Sequence, residues 1–301
     1  VLVKFGVDVL KDVVSAATPW PVSGLRDVSA FREQTIDLFR EGMDRGTGVG
    51  FPALDSLFKA NPQTLTVCTG IPGSGKSAFL TWMSVQLALQ SNWNCAVFSA
   101  ETSSQIHLLQ MAAIYHSMPF DGPGKMSEDE LNEALDWIST RFVFLDETDT
   151  DISSVIERAE AAVLRNGVRL LIVDPYNFLT GVEEGVAGIN RLLVALKTFA
   201  VSYGVCVWLV AHPIKMYPDQ SGNVPTPTGY SVSGSSGFFN TGDAGISLTR
   251  QDYGKTKLTT WKIRFPWLGS IGELTMDFDH RSGVFSPAIE GGNEDIDFDE
   301  F

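Results

Sequence analysis

The sequence predicts an α/β fold built around a mostly parallel central sheet, on two observations of pattern and one of placement. Leu65–Thr69, Cys95–Phe98, Phe142–Leu145, Leu170–Val173 and Val205–Val210 are short, continuous apolar runs, the pattern of strands buried on both faces. Helical stretches lie between them: Ser77–Gln90, Ser103–His116, Ile152–Arg165 and Ile189–Tyr203. The first strand runs through a glycine-rich turn directly into the first helix, the kind of strand end where parallel sheets gather ligands. After Val205 the helical pattern stops, and Gly245–Arg250, Lys257–Phe265 and Gly272–Asp279 read as antiparallel strands on the edge of the sheet.

Composition sets limits on what surrounds that core. Of 301 residues, 44% are hydrophobic and 19% charged, enough to bury a core and too apolar for a disordered chain. Acidic residues outnumber basic ones 36 to 22, a net charge of −14, which excludes an outer surface coated with DNA-binding lysines but leaves room for a local basic channel. No uninterrupted apolar run approaches the ~18 residues of a membrane-spanning helix, so no membrane role is expected. The chain opens at Val1 without an initiator Met or a basic, cleavable leader, and reads as a piece excised from a longer protein. Cys68, Cys95 and Cys206 sit singly in apolar runs and read as buried free thiols.

Three regions follow. Residues 1–45 hold the breaker Pro19-Trp20-Pro21 and then Leu25, Val28, Phe31, Ile36 and Phe39 at roughly helical spacing, a helical linker or subunit-docking segment. Residues 46–289 carry the α/β pattern, and residues 290–301 form an acidic tail after the joint Gly291-Gly292-Asn293.

The chemistry starts at Gly70-Ile71-Pro72-Gly73-Ser74-Gly75-Lys76-Ser77, a complete G-x4-G-K-S between a strand and a helix. Its glycines let backbone N–H groups close on a polyphosphate, and the helix N-terminus adds partial positive charge. Lys76 suits the β- and γ-phosphates, and the Ser77 hydroxyl suits Mg2+. Leu170-Leu171-Ile172-Val173-Asp174 ends an apolar strand in a carboxylate, placing Asp174 towards that metal and its water. Glu101, just past the Asn94–Ser99 strand, can orient and deprotonate an attacking water; it serves equally well as an N-terminal helix glutamate beside the caps Thr102-Ser103-Ser104.

The arrangement resembles the RecA-like motor domain of Toprim-linked ring helicases, the family of Twinkle-like and T-odd phage primase-helicases. The likeness runs from Thr47 to about Asp279, through Thr47-Gly48-Val49-Gly50-Phe51-Pro52-Ala53-Leu54-Asp55, the phosphate loop, Phe98-Ser99-Ala100-Glu101, Val173-Asp174-Pro175-Tyr176-Asn177 and Val207-Trp208-Leu209-Val210-Ala211-His212-Pro213. It implies a RecA-like P-loop NTPase core in which Glu101 is catalytic and His212 senses the γ-phosphate; a lone histidine at a buried strand end is otherwise a core residue. In Trp261-Lys262-Ile263-Arg264-Phe265, alternation puts Trp261, Ile263 and Phe265 on one face and both cations on the other. The resemblance implies that Arg264, with Lys262, completes the nucleotide site of a neighbouring subunit, as against a merely solvated strand face.

The family's DNA-contacting loops fall between His212 and Arg250, where Lys215 is the only basic residue against Asp219 and Asp243, and Thr241 stands where relatives often carry lysine. Contact with single-stranded DNA is then expected from Lys215, Ser235, Ser236, Gly237 and Asn240. Five of the fourteen excess negative charges lie in residues 294–301 beside Phe298 and Phe301, a tail that resembles one docking on a replicative DNA polymerase. The implied function is a replicative ring DNA helicase hydrolysing ATP or another NTP or dNTP with Mg2+, as a homo-oligomeric ring, hexamer or heptamer, with a primase module upstream. The implied setting is the cytoplasm of a bacterium or phage-infected bacterium rather than the mitochondrial matrix. A RecA-like recombinase filament and a nucleotide-switched scaffold ring share the same core and stand as alternatives.

Overall fold

The computed structural model describes residues 26–217, 224–232, 236–251 and 254–288. The chain divides into two compact units at Met43/Asp44. In the first, Asp27 opens a 3-10 turn, Val28–Phe31, by accepting from the Ser29 N–H at 2.8 Å. Helix α1 (Arg32–Glu41) follows and buries none of its residues, and Val28 and Phe39 are 82% and 89% exposed. Residues 1–25, with the breaker and Leu25, lie outside the described residues, as do residues 289–301 with the acidic tail, Phe298 and Phe301.

In the second unit, helix α2 (Pro52–Leu57) precedes β1 (Leu65–Thr69), α3 (Lys76–Ser91), β2 (Asn94–Ser99), α4 (Ser104–His116), α5 (Glu128–Arg141) and β3 (Phe142–Phe144). Then come α6 (Ile152–Asn166), β4 (Val168–Asp174), α7 (Val186–Tyr203), β5 (Cys206–Ala211) and α8 (Gly237–Thr241). Strands β6 (Ala244–Arg250), β7 (Lys255–Ile263), β8 (Gly272–Asp279) and β9 (Val284–Pro287) complete it. Among the described residues the strands form one nine-stranded sheet in the order β3-β2-β4-β5-β1-β6-β7-β8-β9.

Strand alternation builds a core on each face. On one face Cys68, Val97, Ile172, Trp208 and Leu248 meet Phe79, Leu80 and Met83 of α3. On the other, Val67, Phe98, Val173 and Leu209 meet Val155 of α6 and Leu193 and Leu196 of α7. Both faces of the central strands are therefore covered, which is why they read as continuous apolar runs. All three cysteines are buried and free, and burial pushes their thiols up, that of Cys206 to about 11.

Three expectations need correction. Strand β6 is not an antiparallel edge strand: it pairs parallel to β1, Val67 with Gly245 and Cys68 with Ile246, and only its other side is antiparallel, to β7. A five-residue helix, α8, intervenes before it, too short to show periodicity in sequence. In β7 a register shift opposite Gly245/Ile246 breaks the alternation, so Trp261 joins the α7-side core while Ile263 packs against the other. Helix α7 is long and apolar enough by composition alone to cross a membrane, and one face of it, Leu192, Leu193, Leu196, Phe199 and Ala200, packs on the sheet.

Candidate functional site

The carboxyl ends of β1, β2, β4 and β5 converge, because all four run parallel with Thr69 beside Ala211 and Ser99 beside Asp174. Between them and the start of α3 opens a cleft of about 460 Å³ lined by Pro72, Gly73, Gly75, Lys76, Ser77, Glu101 and His212. Gly73 and Gly75 hold φ of +76° and +88°, left-handed values that favour glycine, and a Cβ on either would meet only open space. The space over the loop is thus left free for a ligand. Gly70 is needed for close approach instead: a Cβ there would lie 2.5 Å from Ser74 Oγ and 2.6 Å from the Leu248 carbonyl of β6.

Lys76 is buried, and its Nζ donates to the carbonyls of Gly70 at 2.9 Å and Ile71 at 3.1 Å. Burial lowers its pKa, opposed by the nearby carboxylates of Asp174 and Glu101. Asp174 is also buried; burial raises its pKa, and a hydrogen bond from the Ser77 hydroxyl opposes the rise. Its Oδ1 has no protein partner, and the buried hydroxyls of Thr69 and Ser74 have none either. Uncompensated buried oxygens at one spot are costly in a finished core and expected in a site that awaits a polar ligand. Glu101 Oε1 lies 3.4 Å from His212 Nε2, and the Glu101 side chain is 41% exposed at the mouth of the cleft. Residues expected from four separate motifs are brought together at the carboxyl ends of the strands.

Lys262 and Arg264 are elsewhere. Ile263 pairs with Ala244 at the amino end of β6, which runs parallel to β1, so both cations sit at the end of the sheet opposite the phosphate loop. Five residues of strand separate the two ends, roughly 15 Å. Arg264 Nη1 lies 3.0 Å from Asp243 Oδ1, and its Nη2 donates to the Asn240 carbonyl at 3.0 Å. Lys262 donates to the carbonyls of Phe239 and Asn240. Asp243, 2% exposed, also accepts from Lys197 of α7 at 2.5 Å and from the Leu65 N–H at 2.8 Å. Lys197 was invisible as a partner in sequence, being 46 residues from Asp243.

The residues expected to touch DNA scatter. Lys215 lies over the Tyr217 ring at 5.4 Å, Ser236 precedes α8 without a side-chain capping bond, and Ser235 is outside the described residues. Gly237 is buried, and the Asn240 carbonyl is occupied by Lys262 and Arg264. Motif reading also missed a cavity of about 160 Å³ that shares Ala78 with the nucleotide cleft and is lined by Phe120, Phe278, His280 and Arg281. Arg250, at the end of β6, lies 5.9 Å from the centre of the Phe278 ring. No local sequence signal marks it, because its walls come from α3, α4 and β8.

The family model described as AAA domain matches residues 43–216. The chain is 32% identical over 308 aligned residues to the Twinkle homolog protein, chloroplastic/mitochondrial, of Arabidopsis thaliana, covering 95% of this chain and 43% of that protein. It is 23% identical over 188 residues to the replicative DNA helicase DnaB of Geobacillus stearothermophilus, covering 57% of this chain and 41% of that one. The chain thus spans less than half the length of these curated relatives. Among solved structures, one described as an ATPase domain superposes with a TM-score of 0.73 at 18% identity, over 87% of this chain and all of that one. A DnaB-like replicative helicase, whose structure was described with its interactions with primase, gives 0.70 at 16% identity, over 94% and 71%. These likenesses correspond to the nine-stranded, mostly parallel sheet, and the chain belongs to the AAA domain family and has a RecA-like fold.

Proposed function

We propose that this chain is the motor of a ring-shaped replicative DNA helicase, hydrolysing ATP or another NTP or dNTP to move along single-stranded DNA. The observation that carries the reading is the cluster of Lys76, Ser77, Asp174, Glu101 and His212 at one end of the strands, with Lys262 and Arg264 at the opposite end. A subunit with both halves of a hydrolytic site, but at opposite ends, suits assembly in a ring where each end serves a neighbour.

In this reading the loop from Gly70 to Ser77 wraps the phosphates. The Lys76 ammonium turns from its two carbonyls to the β- and γ-phosphates. Ser77 and the unpartnered Asp174 oxygen fit Mg2+, whose chemistry is to neutralise developing phosphate charge. Glu101 orients the attacking water and takes its proton, and His212, in contact with Glu101, registers the γ-phosphate. The base enters the cavity beside Ala78, towards Phe278 and Arg250. Arg264 leaves Asp243 to reach the neighbour's γ-phosphate, assisted by Lys262. Lys215, Ser236 and Asn240 contribute polar contacts to DNA. Residues 1–45 dock on the adjacent subunit, the tail ending at Phe301 meets the replicative polymerase, and a primase module precedes Val1.

The test is unwinding of a forked DNA with each NTP in turn, alongside hydrolysis with and without single-stranded DNA at low salt, where phosphate contacts are strongest. Nucleotide-dependent unwinding, with hydrolysis stimulated by DNA, is expected. Hydrolysis indifferent to DNA would move the assignment to a scaffold ring, and open filaments in place of closed rings would move it to a recombinase.

A further inference from the structure

We propose that Tyr230 is a stacking platform for the unpaired bases of single-stranded DNA, an inference that rests on the DNA-motor reading above. Tyr230 ends a pile of three rings: it stacks on Phe239 at 4.1 Å and 16°, and Phe239 stacks on Trp261 at 5.5 Å and 23°. Trp261 is buried, whereas Tyr230 is 61% exposed with one face against Phe239, so the pile ends in an aromatic face open to solvent. Its base is rigid. A Cβ on Gly229 would come within 2.7 Å of the Trp261 ring and 2.8 Å of the Phe239 N–H nitrogen, so only glycine lets the backbone beside Tyr230 lie this close. The Tyr230 N–H donates to Thr228 Oγ1 at 3.3 Å, which fixes the turn.

Two further facts point the platform at nucleic acid. The stretch between His212 and Arg250 offers one lysine, Lys215, so phosphate contacts alone give little grip. Base–aromatic stacking needs no cations and tolerates any sequence, as a translocating strand requires. Tyr230 is also wired to the nucleotide cleft: Pro213, next to His212, bridges Val232, and the Ile214 N–H donates to the Ser231 carbonyl at 2.8 Å. Lys215 and Tyr230 are the next residues outward on these two arms, a cation for one phosphate beside a ring for one base. One isolated bridge and one hydrogen bond thus join the strand end at His212 to the turn that carries Tyr230.

The experiment measures binding of a labelled oligothymidylate and of its abasic counterpart to the 301-residue chain with a non-hydrolysable nucleotide, by anisotropy across a salt series. The wild type is expected to bind the abasic strand about tenfold more weakly, within the range of one base–aromatic stack. Tyr230→Ala should bind both strands equally weakly with an unchanged salt slope, and Tyr230→Phe should keep the base preference. Lys215→Ala should instead make the salt slope shallower by about 0.7. Equal binding of both strands by the wild type, or a base preference surviving in Tyr230→Ala, would overturn the inference. So would loss of ring assembly in Tyr230→Ala alone, which would mark the ring as a subunit contact. No binding of any strand by the wild type would take down the DNA-motor reading itself.

Discussion

The two ends of the central sheet carry similar residues in opposite states. At the carboxyl ends of the strands, Asp174 Oδ1, Thr69 Oγ1 and Ser74 Oγ are buried without protein partners, and Gly73 and Gly75 face empty space. At the amino ends, Oδ2 of buried Asp243 accepts from Lys197 and the Leu65 N–H, and its Oδ1, without a hydrogen bond, lies in ionic contact with Arg264 Nη1 at 3.0 Å. One carboxylate is costly to the fold and useful to a ligand; the other ties a helix, two strands and the chain after β7 together. Burial and charge alone do not distinguish them. What does is whether the rest of the molecule supplies partners.

Substitutions should separate the two ends sharply. Glu101→Gln is expected to slow hydrolysis by about 10²–10⁴-fold while nucleotide affinity holds, the range for removing a positioned base. Normal turnover would remove Glu101 from the site. Asp243→Asn should destabilise the chain by about 1–3 kcal/mol in a urea titration, because it weakens the charge-assisted bonds from two partly exposed cations to a buried acceptor. Asp174→Asn should instead be neutral or stabilising by about 1 kcal/mol, since it removes a buried charge that only a ligand needs. Equal losses from these two substitutions would erase the contrast.

A third position calibrates what burial does where no function is assigned. His107 of α4 bonds to Thr81 at 2.8 Å, and burial depresses its pKa from 6.5 to about 4. Between those values the unfolded chain binds a proton that the folded chain refuses. Stability should be full above pH 6.5 and fall by about 3 kcal/mol as pH drops to 4. His107→Gln should flatten that window, and an unchanged slope would assign it to other groups. A loss confined to stability is expected at α5, where Ser127 and Glu130 form a reciprocal capping box: Ser127→Ala should cost about 1 kcal/mol and leave hydrolysis untouched.

How much of this was legible depended on sequence distance. The phosphate loop is one contiguous segment, and the apolar runs of β1, β2, β4 and β5 carry their burial in their composition, so that edge of the molecule could be read directly. Helix α5 went unread from periodicity, although Ser127-Glu128-Asp129-Glu130 carries the spacing of a capping box at its start. Strand β6 was misread because a parallel crossover is recognised by its helix, and α8 supplies only five residues. The faces of β7 were misread because a bulge shifts register without a local signature. The Lys197–Asp243 pair and the cavity beside Ala78 join distant segments and exist only once the sheet is assembled. Tyr230 belongs to the same class: its neighbours Phe239 and Trp261 are set by folding, not by spacing.

The central claim is that the two ends complete one another between subunits, and mixing two inactive variants tests it most directly. Lys76→Ala removes the phosphate end, and Arg264→Ala removes the cation end. Combined in confirmed co-assemblies, they should recover part of the hydrolytic rate, because some interfaces then pair an intact Lys76 with an intact Arg264. If no mixing ratio exceeds either variant alone, Arg264 serves only its own subunit's Asp243, and the account of a site shared between the two ends is contradicted.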